Sequence, residues 1–250
     1  MALIDVYDYL QWGNYNQKIT SLASTAIFET WSFSGKNDYS ILKNYFKHTF
    51  FKLQEENKIL ITDNYCVFNT GLFNQYFEPI FVQSEKDTDG NWVFKCFCTK
   101  YELGYIGISN PPERADYFTD PSLLIFDWRC KVNINYRHIL EDEENRLRLP
   151  KVVTESDKPE WILEGSINNA IKRVTANYKL AVPQYFGGKI QLLLPLCFDK
   201  TDKPYLALAL TKMEGDYYQG HTCLTMEMAY NNARLISKPE SNWLSPQEIC

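Results

Sequence analysis

Two long segments of the chain place their apolar residues at helical spacing. Between residues 37 and 57 these side chains recur at intervals that bring them onto one side of a helix. A second long helix is predicted from Glu160 to Leu180, where Pro183 would stop any extension. A shorter helix is predicted from Tyr15 to Thr25. The buried stripe predicted for the first helix comprises Ile41, Leu42, Tyr45, Phe46, Thr49, Phe50 and Leu53.

The other apolar runs are short and separated by turn residues, which is typical of β-strands. No series of alternating strands and helices and no internal repeat is visible, so the pattern favours an α+β fold. We expect largely antiparallel sheets packed against two long amphipathic helices, in a single globular domain spanning residues 1–250. If this domain subdivides, the acidic segment near residues 141–158 is the expected place. The predicted strands are Lys58–Ile61, Tyr65–Asn69, Pro79–Gln83, Trp92–Cys98, Ser122–Trp128, Lys189–Phe198, Pro204–Leu210 and His221–Ala229.

Composition excludes several classes of protein. Hydrophobic residues make up 45% and charged residues 23% of the 250 positions, values typical of a folded chain. The net charge of −5 argues against a protein that binds polyanions over its whole surface. The N-terminus lacks the features of a signal peptide, and no apolar run is long enough to span a membrane. Seven cysteines without a CxxC pair indicate reduced thiols and a cytoplasmic protein.

The usual catalytic and phosphate-binding motifs are absent. Gly187-Gly188 before Lys189 is better explained by a tight turn than by a phosphate loop. We predict no metal site and no cofactor, although Cys96 and Cys98 would share one face of a strand.

Two of the three histidines are candidates for acid–base chemistry. His48 has three lysines nearby on its predicted helix, so it is an ordinary helix histidine, a general acid/base or a phosphate contact. His138 is considered for the same catalytic role.

Between Glu164 and Asp199 the chain has no acidic residue and carries four positive charges. Lys172 and Arg173 lie in this basic stretch, together with Asn177 and Tyr185. Cations, amides and rings in one segment suit contacts to phosphate and bases. Part of the stretch is also predicted to be buried strand, where acidic residues are rare in any case.

The run Tyr230-Asn231-Asn232-Ala233-Arg234 is predicted to close the third C-terminal strand. Two amides and a guanidinium at a strand end can bind a base edge or a phosphate. They can equally form a turn, with asparagine bonding to the local backbone and arginine in an ion pair. The sequence leaves both interpretations open.

Four motifs together resemble the uncharacterised family called domain of unknown function 3825. They are the segments at residues 41–50, 68–72, 190–196 and 224–236, and the last, Leu-Thr-Met-Glu-Met-Ala-Tyr-Asn-Asn-Ala-Arg-Leu-Ile, is the most specific. The resemblance covers nearly the whole chain. Members of that family are often joined to small RNA-binding modules, so the resemblance implies an RNA-related setting by association. It implies no catalytic role for His48.

Three hypotheses about function follow. The leading one is a cytoplasmic domain that binds RNA or a small nucleotide in a basic groove beside the sheet and the Glu160–Leu180 helix. The second is an enzyme that processes phosphodiesters or nucleotides with His48 or His138 as general acid/base, and the third is a protein-interaction scaffold in a defence or stress pathway. No membrane partner is expected, and the oligomeric state is left open. In the leading hypothesis Lys172, Arg173 and Arg234 contact phosphate, Tyr185 and Tyr230 stack, and Asn69, Asn177, Asn231 and Asn232 bond to base or sugar.

Overall fold

The computed structural model describes residues 3–118, 120–201 and 203–249 of the chain. The chain divides into two compact units, residues 1–116 and residues 117–250. This boundary comes earlier than the acidic segment near residues 141–158, which belongs to the second unit. The single domain expected from the sequence stays a prediction, and the two units are described separately.

The first unit contains an antiparallel sheet whose four strands follow one another in chain order. Short turns join these strands, which is why neighbours in sequence become neighbours in the sheet. The elements of this unit are α1 (Val6–Tyr9), α2 (Tyr15–Thr25), α3 (Ser40–Glu55), β1 (Leu60–Ile61), β2 (Tyr65–Phe73), β3 (Pro79–Lys86), β4 (Trp92–Cys98) and α4 (Lys100–Tyr105).

Helix α3 confirms the first predicted helix, because every residue of the predicted stripe is buried. The stripe packs against β2, where the Phe50 and Phe68 ring centroids are 4.8 Å apart. The helix begins three residues later than predicted because Tyr39 has a left-handed backbone with φ of 52°. Asp38 still assists the first turn. Its Oδ1 accepts a hydrogen bond from the Ser40 N–H at 2.9 Å, and this bond lowers the pKa of Asp38.

The second unit contains a five-stranded sheet of mixed direction. Its order is β5-β9-β8-β7-β6, with β5 parallel to β9 and the other pairs antiparallel. Short 3-10 helices occur at Pro121–Leu124 and Tyr178–Leu180. The other elements are β5 (Lys131–Ile134), α5 (Tyr136–Glu141), α6 (Glu143–Arg146), α7 (Lys151–Thr154), α8 (Pro159–Ala176), β6 (Val182–Phe186), β7 (Lys189–Leu196), β8 (Leu206–Met213), β9 (Tyr217–Leu224) and α9 (Met226–Ile236).

The two faces of this second sheet differ because successive strand residues point to opposite sides. Leu194 and Leu208 belong to an apolar core that also contains Leu163 and Ile167 of α8. The opposite face carries Gln184, which pairs in register with Gln191. Helix α9 lies on that opposite face, since Asn232 Nδ2 donates a hydrogen bond to Gln184 Oε1 at 3.1 Å. Helices α8 and α9 therefore cover different sides of the sheet.

The α+β class with largely antiparallel sheets is confirmed. Helices α3 and α8 have 16 and 18 residues, but α2 and α9 add 11 residues each. The description by two long helices is therefore only loosely correct. The Gly187-Gly188 pair forms the tight turn between β6 and β7 that the sequence predicted, and both glycines have positive φ.

One predicted strand is wrong, and another is correct only in its first part. Within the segment Ser122–Trp128, the chain instead forms a 3-10 helix, because Asp120 accepts from the Ser122 N–H and a proline occupies the first helical position. The predicted strand His221–Ala229 ends at Leu224, and α9 begins at Met226. The run Tyr230-Asn231-Asn232-Ala233-Arg234 is accordingly helical rather than the end of a strand.

Thr225 marks the change from β9 to α9 and supplies our first prediction. Its hydroxyl oxygen accepts a hydrogen bond from the Met228 N–H at 3.3 Å. We expect Thr225→Ala to lower the free energy of unfolding by about 1 kcal/mol, because the exposed N–H groups of the first turn lose their cap. Urea unfolding measures the change. Thr175→Ala is the control, since the Thr175 hydroxyl donates to the Ile171 carbonyl within its own helix and caps no helix end. An equal loss in both variants would contradict the capping role.

Candidate functional site

Two of the sequence-predicted residues, His48 and Asn69, lie in the first unit. His48 is exposed on α3, and its ring meets Phe51 edge-on at a centroid distance of 5.9 Å. Desolvation of the ring, followed by the charge of Lys47, lowers the pKa of His48. Asn69 is buried, and its Oδ1 accepts from the Gly71 N–H at 2.9 Å. In this structure the Asn69 side chain therefore stabilises the backbone of β2.

Four further candidates lie on α8, just beyond its end, and on β6. Lys172 and Asn177 are exposed, and Asn177 Oδ1 accepts from the Lys179 N–H. Arg173 Nη1 lies 3.2 Å from the Cys197 sulfur. The Tyr185 ring meets that of Tyr117 at a centroid distance of 4.7 Å. Along β6, Tyr185 points to the side of the sheet opposite to Gln184.

Four more candidates belong to α9, and the last one, His138, lies on α5. Tyr230 and Arg234 are buried, whereas Asn231 and Asn232 are half-buried. Asn231 Oδ1 has no hydrogen-bond partner among the described residues. Because α8 and α9 lie on different sides of the sheet, the predicted residues do not line one common groove. Their individual roles in binding stay predictions.

A row of hydrogen-bonded polar side chains crosses the sheet face beneath α9. Asn232 Nδ2 donates to Gln184 Oε1 at 3.1 Å, and Gln184 Nε2 donates to Gln191 Oε1 at 2.8 Å. Gln191 Nε2 in turn donates to Thr211 Oγ1 at 2.9 Å. Gln184 is only 1% exposed, so burying its amide requires the partners on both sides. We call Asn232, Gln184, Gln191 and Thr211 the amide row.

The amide row opens into a groove of about 280 Å³, which we call the amide groove. The floor is the sheet and one wall comes from the short helices α5 and α6. The residues that line it are His138, Asp142, Glu144, Asn145, Arg148, Gln184, Phe186, Gln191, Ala209, Thr211, His221, Thr222, Leu224 and Met228.

Two histidines that are far apart in sequence meet in the amide groove. His138 comes from α5 and His221 from β9, and their ring centroids are 6.4 Å apart. His221 sits at a β-bulge, because Ala209 pairs with Thr222 while Leu210 pairs with Gly220. A bulge of this kind redirects a side chain away from the regular alternation of its strand.

Charged groups of both signs surround these histidines. Arg148 Nη1 donates to the Cys223 carbonyl at 3.3 Å, and Arg148 Nη2 lies 3.7 Å from Glu144. The Glu144 side chain is 87% exposed, so solvent weakens this ion pair. Asp142 Oδ2 lies 4.0 Å from His138 Nδ1. The arrangement can hold an anionic group beside Arg148 and can exchange protons through either imidazole.

Sequence reasoning identified His138 and Asn232 but did not connect them with the rest of the groove. It assigned no role to Gln191, Thr211 or His221. A signal was present, because Gln184 and Gln191 interrupt otherwise apolar strands, where an uncharged polar residue needs a partner. The proximity of His138 and His221 could not be predicted from their positions in the sequence.

Besides a cavity of about 320 Å³ that shares His138 and Asp142 with the amide groove, two larger cavities lie among the described residues of the second unit. One of about 470 Å³ is lined by Tyr178, Lys179 and Lys238 near the ends of α8 and α9. The other, of about 1150 Å³, shares Glu144 and Arg148 with the amide groove and is lined by Phe198 and Tyr205. Neither contains a histidine or a row of bonded amides, so the amide groove is the better candidate for specific recognition.

Fold and groove define an α+β protein that has a polar groove on the sheet of its second unit. The chain belongs to the family described as Domain of unknown function (DUF3825), whose model matches residues 22–243. The match covers nearly the whole chain and agrees with the resemblance noted in the sequence. Searches of curated proteins and of solved structures gave no match.

Two further observations concern membranes and metals. Among residues 3–118, 120–201 and 203–249, no helix combines the length and the apolar character needed to cross a bilayer. Within the same ranges, no three side chains of His, Cys, Asp or Glu are grouped in a way that could bind a metal ion. Cys96 and Cys98 do interact, and the thiol of Cys98 lowers the pKa of Cys96.

Proposed function

We propose that the amide groove binds one nucleotide unit, either free or within single-stranded RNA, and that the protein acts in the cytoplasm. The observation that carries the proposal is the amide row. All hydrogen bonds of the row run in the same direction, each side chain donating to the next. At the end of the row, the Thr211 hydroxyl oxygen accepts from Gln191, and its own O–H can donate to a further partner. A ligand acceptor in the groove would satisfy that hydrogen.

A nucleobase matches this surface because its edge offers carbonyl and ring-nitrogen acceptors close to N–H donors. The second N–H of Gln191 and the Thr211 hydroxyl provide two donors from adjacent strands. The bonds within the row hold both groups in place before a ligand arrives, which reduces the entropy cost of binding. A volume of about 280 Å³ is near the ~300 Å³ lower end of small-molecule sites and suits a single nucleotide unit.

Stacking and charge support the same ligand. Phe186 lies at the edge of the groove beside the β6–β7 turn and is 61% exposed, so its ring is available to a base. Arg148 offers a fixed guanidinium for phosphate. The cytoplasmic location is supported by the free thiols of Cys66, Cys96, Cys98, Cys130, Cys197 and Cys223.

Binding to labelled single-stranded RNA, followed by fluorescence anisotropy with unlabelled nucleotides as competitors, tests the proposal. We expect Thr211→Val to raise Kd about ten-fold, the effect of losing one hydrogen bond of about 1.4 kcal/mol. Phe186→Ala is expected to raise Kd about five-fold or more through lost stacking. Competition by free nucleotides distinguishes a mononucleotide site from one that needs an RNA chain.

Two control variants locate the site. Thr175→Ala on α8, across the sheet from the groove, is expected to leave Kd unchanged. The double variant Lys172→Ala/Arg173→Ala tests the sequence-predicted basic surface in the same titration at two salt concentrations. Loss of affinity in that double variant with normal binding by Thr211→Val would reject the amide groove as the site. Absence of binding to every RNA and nucleotide would reject the function itself.

A further inference from the structure

We propose that His138 and His221 act as a general acid–base pair that cleaves RNA bound in the amide groove. This inference rests on the proposed nucleotide binding and goes beyond it by assigning a reaction. Its starting point is that two imidazoles from separate elements line one groove, with their ring centroids 6.4 Å apart.

That separation suits a phosphodiester because its attacking and leaving oxygens lie on opposite sides of the phosphorus atom. A general base and a general acid must each approach one of these oxygens to about 2.6–3.2 Å. With one ring on the helical wall and the other on the sheet, a phosphate entering the groove can contact both. Arg148 lines the same groove and can neutralise charge that develops on the other phosphate oxygens.

The surroundings of the two rings suggest different roles. Asn145 is only 3% exposed, and its Nδ2 lies 3.4 Å from His138 Nε2, where an amide donor favours an unprotonated nitrogen. Asp142, 4.0 Å from Nδ1, favours a proton on that other nitrogen. His138 is thereby prepared as the base. His221 has no side-chain hydrogen bond among the described residues and is exposed, which suits a proton donor that must recharge from solvent.

The reaction needs no further reactant. A ribose 2′-hydroxyl replaces the Asn145 amide at His138 Nε2, since that amide also donates to the His138 carbonyl at 3.3 Å. His138 Nε2 then accepts the hydroxyl proton, and the ribose oxygen forms a bond to the adjacent phosphorus. The bond from phosphorus to the 5′-oxygen of the next nucleotide breaks, and protonated His221 donates its proton to that oxygen. The products are a 2′,3′-cyclic phosphate and a 5′-hydroxyl. His138 gains one proton and His221 loses one, so the protons balance and no further reactant is consumed.

Such a pair gives a bell-shaped dependence of kcat/KM on pH, because one imidazole must be neutral and the other protonated. The charged groups facing the pair are Asp142, Glu144 and Arg148, with Arg137 and Glu141 beside His138. The groove residues from β6, β7, β8 and α9 carry no titratable group.

The test incubates the full chain with single-stranded RNA in the presence of a metal chelator and identifies the products by mass spectrometry. We expect a 2′,3′-cyclic phosphate end and no cleavage at positions that carry a 2′-deoxyribose. His138→Gln and His221→Gln should each lower the cleavage rate by about 100-fold or more, the usual contribution of a positioned imidazole, with RNA affinity retained. Variants purified in the same way also reveal any contaminating nuclease.

The outcomes separate this inference from the proposed function. RNA binding without cleavage by the wild-type protein overturns the catalytic assignment and leaves the binding proposal standing. Absence of binding refutes both. Loss of cleavage in His48→Gln, with normal rates in the two groove variants, would place the chemistry in the first unit instead. A rate that falls only because affinity falls would show that the histidines bind rather than catalyse.

Discussion

Replacing Gly71 by alanine is expected to destabilise the first unit by about 2–4 kcal/mol, through backbone strain and overpacking together. Gly71 has φ of +74° and lies where the pairing of β2 with β3 shifts register. A Cβ atom there would overlap the hydroxyl of Tyr45, whose ring belongs to the buried stripe of α3. The loss should appear in urea unfolding and as faster amide exchange across residues 65–86.

Gly90 provides a matched control for this prediction. It has φ of +88°, but a Cβ atom at that position would meet nothing within 4 Å. Gly90→Ala should therefore lower the free energy of unfolding only through backbone strain, by about 1 kcal/mol. If the overlap with Tyr45 is the larger cause, the double variant Tyr45→Phe/Gly71→Ala should lose less stability than the sum of its single changes. Equal losses at Gly71 and Gly90 would contradict the close approach of α3 and β2.

Replacing Gln184 by leucine is expected to lower the stability of the second unit by about 2–3 kcal/mol, because its two half-buried polar partners lose their hydrogen bonds. Asn232 Nδ2 would lose its acceptor, and Gln191 Oε1 would lose its donor. The expected result is an earlier urea midpoint together with weaker RNA binding, since Gln191 and Thr211 would no longer be held in place. Unfolding and anisotropy measured on the same preparation give both quantities.

Two comparisons test this explanation. Gln219 of β9 is a matched comparison, because its amide donates to the Asn133 carbonyl in a more exposed setting. Gln219→Leu should lower the free energy of unfolding by less than about 1 kcal/mol. The double variant Gln184→Leu/Gln191→Leu should be less destabilised than the sum of the two single changes, because removing both partners leaves fewer unpaired groups. Strict additivity would show that the two amides act independently.

The amide row explains why a polar surface is compatible with a stable sheet. The face toward α8 is lined by leucines and supplies the apolar core, whereas the face toward α9 carries glutamine and threonine. Polar side chains on the second face are tolerated because they satisfy one another. The same bonds position donors toward the groove, so one set of residues contributes both to stability and to the proposed recognition.

Local patterns were sufficient for most of the elements. The stripe of α3 was predicted residue by residue, because burial of one helix face depends on spacing within a single segment. The Gly187-Gly188 turn followed from the backbone freedom of glycine. The strand predicted for His221–Ala229 is correct as far as Leu224. Its extension beyond Leu224 was wrong because Thr225 caps a helix there, although the residues that follow seemed to alternate as in a strand. At Asp120, a cap followed by Pro121 similarly produced a 3-10 helix in place of a strand.

The sequence alone determined the α+β class, the main helices and most strands, since these depend on the periodicity of neighbouring residues. The tertiary structure decided which polar groups meet. It placed Lys172 and Tyr230 on different sides of one sheet, and it brought His138 to His221 across 83 positions of chain. Such proximity arises from strand order and from a bulge in β9, which depend on pairing between distant segments and leave no mark in local spacing.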